Sequence, residues 1–192
     1  MRNYRNLALA TALATLTTGA AQAVPVQWDA AVGGNDHWYE LIIHSGITWT
    51  ASNAAATSSS HLGEVGYLAS ITSVAEQVFL NTLNPANLNA WLGGTDAATE
   101  GTWEWTTGEA FAYTNWNIIE PNNLFNEDYL LGWWVHDQWN DLSENLSGFF
   151  VQAYVVEYND AGVAPIPLPA GLPLVLGALG LLGLVGRRRK AS

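Results

Sequence analysis

Between residues 96 and 141 the chain concentrates hard oxygen donors at short spacing. Glu120-Pro121-Asn122-Asn123 sets a carboxylate and an amide on either side of a proline, and Glu127-Asp128 follows closely. Trp139-Asn140-Asp141 then sets an amide beside a carboxylate, behind an aromatic anchor. Carboxylates, amide carbonyls and backbone oxygens are the ligands that Ca2+ takes, and it tolerates irregular geometry. A cis Glu120–Pro121 bond would make a tight turn that aims both flanking side chains at one point. Cysteine is absent, and His37, His44, His61 and His136 lack metal-ligand spacing, so neither thiolate nor imidazole sites are expected. No nucleophile–base arrangement is recognisable, and metal ligation already accounts for the clustered carboxylates. A hydrolase is therefore not expected.

These donors need a frame. Trp38, Tyr39, Leu41, Ile42 and Ile43 suit a strand within 37–45. Thr48 fits the N-cap of an alanine-rich helix over 49–56, ended by the Thr/Ser cluster at 57–60. Residues 67–71 form a short extended piece. Ser73-Val74-Ala75-Glu76 is a capping box that opens a helix to about Leu83, with Val74, Val78, Phe79 and Leu83 as its apolar face. Trp91-Leu92-Gly93-Gly94 reads as a buried strand. The next fifty or so residues show little periodicity, and long irregular stretches in a compact domain are usually functional. A closing strand follows over 149–158. The order is α+β, with both helices in the first half.

Taken in order, Trp91-Leu92-Gly93-Gly94, Trp103-x-Trp105, Asn115-Trp116, Glu120-Pro121-Asn122, Glu127-Asp128 and Trp139-Asn140-Asp141 resemble the motifs of C-type lectin domains. The final Tyr154–Tyr158 segment is similar to that family's last strand, so the resemblance spans roughly 37–158. It implies a C-type lectin-like α+β fold: two helices, small antiparallel sheets and a long calcium-binding loop region. It also implies a principal calcium site on Glu120, Asn122, Glu127, Asn140 and Asp141, the same residues holding the hydroxyls of a sugar. The Glu-Pro-Asn form implies a mannose, glucose, fucose or N-acetylglucosamine type of ligand. An auxiliary calcium site would fall on Asp96, Glu100, Asn123, Glu127 and Asp128, weakened because Asn123 stands where a carboxylate is common. The family's usual disulfides cannot form, which leaves the loop more dependent on calcium. Trp133 and Trp134 lie outside the motif; core packing is favoured over stacking on a sugar face.

Charge narrows the partners. All six Lys and Arg residues lie at positions 2, 5 and 187–190, and all seventeen Asp and Glu residues lie between them. Within the domain, carboxylates have no Lys or Arg to pair with. They must be solvated, hydrogen-bonded, protonated or met by cations. Binding to nucleic acid or to anionic lipid headgroups is excluded for want of basic residues. The main alternative to a lectin is a calcium-stabilised structural or adhesive protein of a cell surface or biofilm matrix that binds no sugar.

Both ends read as sorting segments. Arg2 and Arg5, an apolar run from Leu7 to about Leu16, and Ala21-Gln22-Ala23 form a signal peptide over 1–23. The domain then covers 24–160. Residues 161–192 carry Pro165-Ile166-Pro167-Leu168-Pro169-Ala170, an uncharged run and Arg187-Arg188-Arg189-Lys190. This tail resembles the bacterial PEP-CTERM sorting signal of the VPLPA subtype. The resemblance implies transient insertion in the inner membrane, an exosortase-type processing enzyme as partner, and export to the surface or extracellular matrix of a Gram-negative bacterium. A permanent tail anchor is the alternative, although fifteen residues reach only about 22 Å as a helix, against roughly 30 Å of hydrocarbon.

Overall fold

The computed structural model describes residues 23–162. The sorting segments expected at 1–23 and 161–192 therefore lie almost wholly outside the described residues. Ten strands and three α-helices follow in the order β1 (Val26–Gln27), β2 (Trp38–Ile43), α1 (Trp49–Ser58), β3 (Ser60–His61), β4 (Glu64–Val65), β5 (Tyr67–Leu68), α2 (Val74–Leu83), β6 (Ala90–Thr95), β7 (Glu104–Trp105), β8 (Tyr129–Val135), β9 (Gln138–Leu142), α3 (Ser147–Phe150) and β10 (Ala153–Tyr158). The α+β class expected from the sequence is the class observed. The sheets are less simple than the small antiparallel ones expected. One sheet runs β1-β2-β10-β6-β8-β9, with β5 beside β10 and β7 beside β6, and β3–β4 form a separate pair. It is mixed, because β10 runs antiparallel to β2 but parallel to β6.

Helix boundaries follow local chemistry. Thr48 accepts the N–H of Ala51 and Ser73 accepts that of Glu76, each satisfying a donor that the first turn leaves free. The apolar face expected on α2 is wrong in part. Val74 and Val78 are 65% and 58% exposed, whereas Glu76, Gln77 and Leu80 are buried. Phe79 and Leu83 do pack on the core, but part of the buried face is polar because it is satisfied by Tyr39 of β2 and by the residue just ahead of the helix: Glu76 accepts from the Tyr39 hydroxyl at 2.6 Å and from the Thr72 N–H at 2.8 Å. Glu157 on β10 accepts from Tyr39, from the Ser70 N–H at 3.0 Å and from His37 Nδ1 at 2.6 Å. His37, given no role by its sequence spacing, is thus the hydrogen-bonding partner of a buried carboxyl group. Glu157 holds it above its ordinary pKa, while burial pushes Glu157 itself up.

Two differences concern the second half. Residues 129–142, expected to be irregular, form the β8–β9 hairpin, so the irregular stretch is shorter than expected and runs from the end of β6 to β8. The closing strand begins at Ala153 rather than Phe149, because Ser147–Phe150 makes a one-turn helix.

Tryptophan holds the irregular stretch. Trp91, Trp105, Trp133 and Trp139 are buried, and Trp103 and Trp116 pack on the core from its rim. Trp139 meets Trp105 and Trp116 edge to face at 5.9 and 5.7 Å, and its indole N–H donates to Gln77 on α2. Such pairs add roughly 0.5–1.5 kcal/mol each beyond the apolar area they bury. In a domain with no cysteine, this cluster tethers the loop chain to the sheet.

Candidate calcium and ligand site

The loop is fixed next to β9 before any side chain is considered. Trp116 and Trp139 form an isolated parallel bridge, with Trp139 N–H donating to Asn115 O and Asn117 N–H to Trp139 O. This registers the chain so that Glu120, a few residues on, lies against Asn140 and Asp141. The Glu120–Pro121 bond is cis, and Glu120 and Asn122 on its two sides line one cavity of about 520 Å³ together with Glu127 and Asn140. Asp141 sits buried beside it.

Asp141 organises the turn. Its carboxylate accepts the backbone N–H of Asn122 at 3.1 Å and of Asn123 at 2.7 Å. Asn122 Oδ1 accepts from Leu124 N–H and Asn123 Oδ1 from Glu127 N–H, each at 2.8 Å, and Glu127 Oε2 accepts from Leu124 N–H at 3.2 Å. The Asn140 amide donates to the Asp141 carbonyl. Asn123 adopts a left-handed backbone conformation, one that Asn tolerates.

Electrostatically the site is short of positive charge. Burial, reinforced by a hydrogen bond and repulsion from Asp141, pushes the Glu120 carboxyl up to about 6. Burial and repulsion from Asp141 and then Glu120 push Glu127 to about 7. One buried oxygen, Glu120 Oε2, has no hydrogen-bond partner. Crowded carboxylates, an orphaned oxygen and neighbouring amide oxygens are the donor chemistry that Ca2+ uses, so the residues fit that ion. The fit is in donor type rather than in finished geometry. Among the described residues, no group of three His, Asp or Glu side chains is placed to hold a metal ion, and several of these oxygens accept loop N–H groups.

The second set of predicted ligands also lies together. Asp96 is buried at the end of β6. Its Oδ2 accepts from Gly101 N–H at 2.9 Å, and its Oδ1 has no partner. Thr95 Oγ1 and Asp96 N–H both donate to the Asp128 carbonyl, which ties the two acidic positions. Partial desolvation and then the carboxylates of Asp96 and Asp128 raise Glu100. Desolvation and then Asp96 raise Asp128.

Sequence reasoning did not single out the residues that complete the cavity. Ile119, Leu124, Phe125, Trp134, Leu142, Leu146 and Phe150 form its remaining wall. Trp134 alone was flagged; the adjacent Trp133 is buried and donates to Asn81. A signal for Ile119, Leu124 and Phe125 existed in the apolar residues interleaved with the Glu-Pro-Asn motif.

Comparison with known proteins places these observations. The family described as Lectin C-type domain matches residues 46–151, more than half of the chain. Halomucin of Haloquadratum walsbyi is 31% identical over an alignment 170 positions long that covers 73% of this chain and 2% of halomucin. The mannose-binding protein of Gallus gallus is 37% identical over 86 residues, 44% of this chain and 33% of that protein. The chain thus spans only a minor part of either relative. The crystal structure of the C-type lectin CEL-I from Cucumaria echinata superposes with a TM-score of 0.55 at 28% identity, covering 65% of this chain and 91% of that one.

Proposed function

Because the chain belongs to the C-type lectin domain family, we propose that it is an exported, calcium-dependent carbohydrate-binding protein that recognises sugars of the mannose, glucose, fucose or N-acetylglucosamine type. The observation that carries this reading is the convergence of Glu120, Asn122, Glu127 and Asn140 on one cavity, with Asp141 fixing the turn between them. Calcium bound there would supply coordination positions that two adjacent sugar hydroxyls complete. The chain's own residues recognise the same hydroxyls. Carboxylates of Glu120 and Glu127 accept hydrogen bonds from them, and the amide groups of Asn122 and Asn140 donate to their oxygens. Asp141 positions Asn122 and Asn123 through the backbone. The similarity to a protein named for mannose binding supports the sugar class.

Binding rather than catalysis is the role we assign, since calcium ligation accounts for both carboxylates that line the cavity. A second ion on Asp96, Glu100, Asn123 and Asp128, with Glu127 shared between the sites, belongs to the same reading. The unpartnered Asp96 Oδ1 supports it. The proposed route out of the cell, with a signal peptide and an exosortase-processed tail, rests on the motifs at the two ends. N-terminal sequencing and intact mass of the exported protein test it.

A second reading is favoured by a specific observation. The site oxygens already accept loop N–H groups, so the region would also serve as a self-satisfied structural loop in an adhesive protein that binds no sugar. A glycan array with and without Ca2+ separates the two. Calcium-dependent signal on mannose-type glycans supports the lectin; silence on every glycan, with Ca2+ loaded, removes it. For the adhesive reading, the double variant Glu120→Gln, Asn122→Asp leaves adhesion unchanged.

A further inference from the structure

The cavity that holds the hydroxyl-binding groups is only half polar. Its other wall has two arms. Ile119, Leu124 and Phe125 come from the loop that carries the Glu-Pro-Asn motif, and Trp134 and Phe150 come from β8 and α3. The two aromatics of the second arm meet edge to face at 5.3 Å. The first arm stands out from the protein: Phe125 is 83% exposed and Ile119 71% exposed. Phe125 also has a φ of 65°, a left-handed conformation unfavourable for a bulky side chain. A buried core explains neither feature, because these side chains are not in the core.

We propose that the natural ligand is an amphipathic glycan: a sugar whose hydroxyls meet Glu120, Asn122, Glu127 and Asn140 and whose acyl or alkyl substituent lies between the Phe125 and Trp134–Phe150 arms. This rests on the calcium-dependent sugar reading above and adds the chemical class of what the sugar carries. The volume, about 520 Å³, exceeds what a single pyranose ring fills and lies in the range that accommodates a larger ligand. Polar and apolar walls share one cavity, so one molecule filling it must present hydroxyls to one side and hydrocarbon to the other. The domain's charge disfavours other occupants. With seventeen acidic residues and no Lys or Arg in the domain, an anionic membrane surface is repelled, and a second copy would bring two carboxylate clusters together.

The test compares matched glycosides on the full chain loaded with Ca2+. Methyl and octyl glycosides of mannose, glucose, fucose and N-acetylglucosamine are titrated by calorimetry below micellar concentrations. The expected result is that the octyl form of the recognised sugar binds at least about tenfold tighter, a gain that burial of two methylene groups would supply. Ile119→Ser with Phe125→Asn should bring the octyl glycoside back to the methyl glycoside's affinity. Both positions are exposed, and Asn tolerates the left-handed backbone at 125, so folding is not at stake.

If methyl glycosides bind and the octyl forms bind no tighter, this inference fails while the sugar reading stands. If no glycoside of either kind binds, the sugar reading fails and takes this inference with it. Equal capture of an octyl chain on an uncharged oligoethylene glycol head overturns the inference in favour of a general apolar surface. Self-association that the double variant abolishes assigns the patch to a second copy and likewise overturns it.

Discussion

Asp141 on β9 accepts the backbone N–H groups of Asn123 and Asn122, so one buried carboxylate joins the hairpin to the turn that carries the Glu-Pro-Asn motif. The two halves of the candidate site, separated by some twenty residues, are therefore positioned by a single side chain. Its removal should affect both together.

Asp141→Asn keeps the size of the side chain but turns one acceptor into an N–H donor facing a backbone N–H. Calcium affinity should fall at least about 10–100-fold, the range seen when a group that orients metal ligands is lost. Calorimetric titration of Ca2+ checks this. Unchanged affinity would show that Asp141 neither ligates nor positions ligands.

The absence of disulfides makes calcium a stabiliser of the fold in this reading. At a free ion concentration of about a hundred times Kd, binding to the native state alone contributes about 2.7 kcal/mol, which for a domain of this size moves Tm upward by on the order of 10 °C. Melting curves in excess Ca2+ and in chelator should differ by that order. Coincident curves would remove calcium from the account.

Calcium binding should also weaken on acidification. Ligating carboxylates must be deprotonated, and the ion-free site holds Glu120 near 6 and Glu127 near 7. Below these values protons compete for the same oxygens. Apparent affinity should therefore be close to its limit above about pH 7.5 and fall steadily through pH 7 to 5. Titrations across that interval, in buffers that do not chelate, provide the measurement; a flat profile would contradict the proposed ligands.

The loop depends on its aromatic tether as well. Trp139 is fully buried, touches Trp105 and Trp116 and donates to Gln77. Trp139→Ala should destabilise the domain by about 3–5 kcal/mol. Trp139→Phe keeps part of the packing and loses the indole donor, so it should cost less while still orphaning the Gln77 acceptor. Denaturant unfolding of both variants in chelator separates packing from metal binding.

Much of this was legible in order and type of residue. Thr48 and Ser73 announce their helices, because a side-chain acceptor at an N-cap is a local requirement that local sequence can show. The ligand motifs lie in short runs, and the tryptophans that fix them are conspicuous. The β8–β9 hairpin was not legible. Leu130, Leu131, Gly132 and Trp133 are buried on both faces, so the alternation that marks a half-exposed strand is missing. The buried face of α2 was misread for a related reason: Glu76 is buried only because Tyr39 and Thr72 satisfy it, and those partners come from tertiary structure. The apolar wall of the cavity was hidden because it is assembled from three separated segments.

The buried acidic cluster makes a prediction about stability of its own, read from the difference between the protein and a His37 variant. His37 and Glu157 are 120 residues apart in sequence and 2.6 Å apart in space. The hydrogen bond that His37 makes to Glu157, outweighing desolvation, raises His37 above its ordinary value of 6.5. A raised folded-state pKa means that the native state binds the proton more tightly than the unfolded chain does. The contribution is therefore fully present below about pH 6.5 and is lost as pH rises through the folded-state value. Glu157 is raised too, by burial above all, so its contribution likewise declines as pH rises, starting from the ordinary carboxylate value of 4.5. Both groups give the same sign, and the raised Glu120 and Glu127 add to it: in chelator, the domain should become less stable as pH increases from about 6.5. In His37→Gln the imidazole's share of the slope disappears. Denaturant midpoints of the two proteins across that range decide the matter, and parallel pH dependences would mean that His37 does not carry the proton.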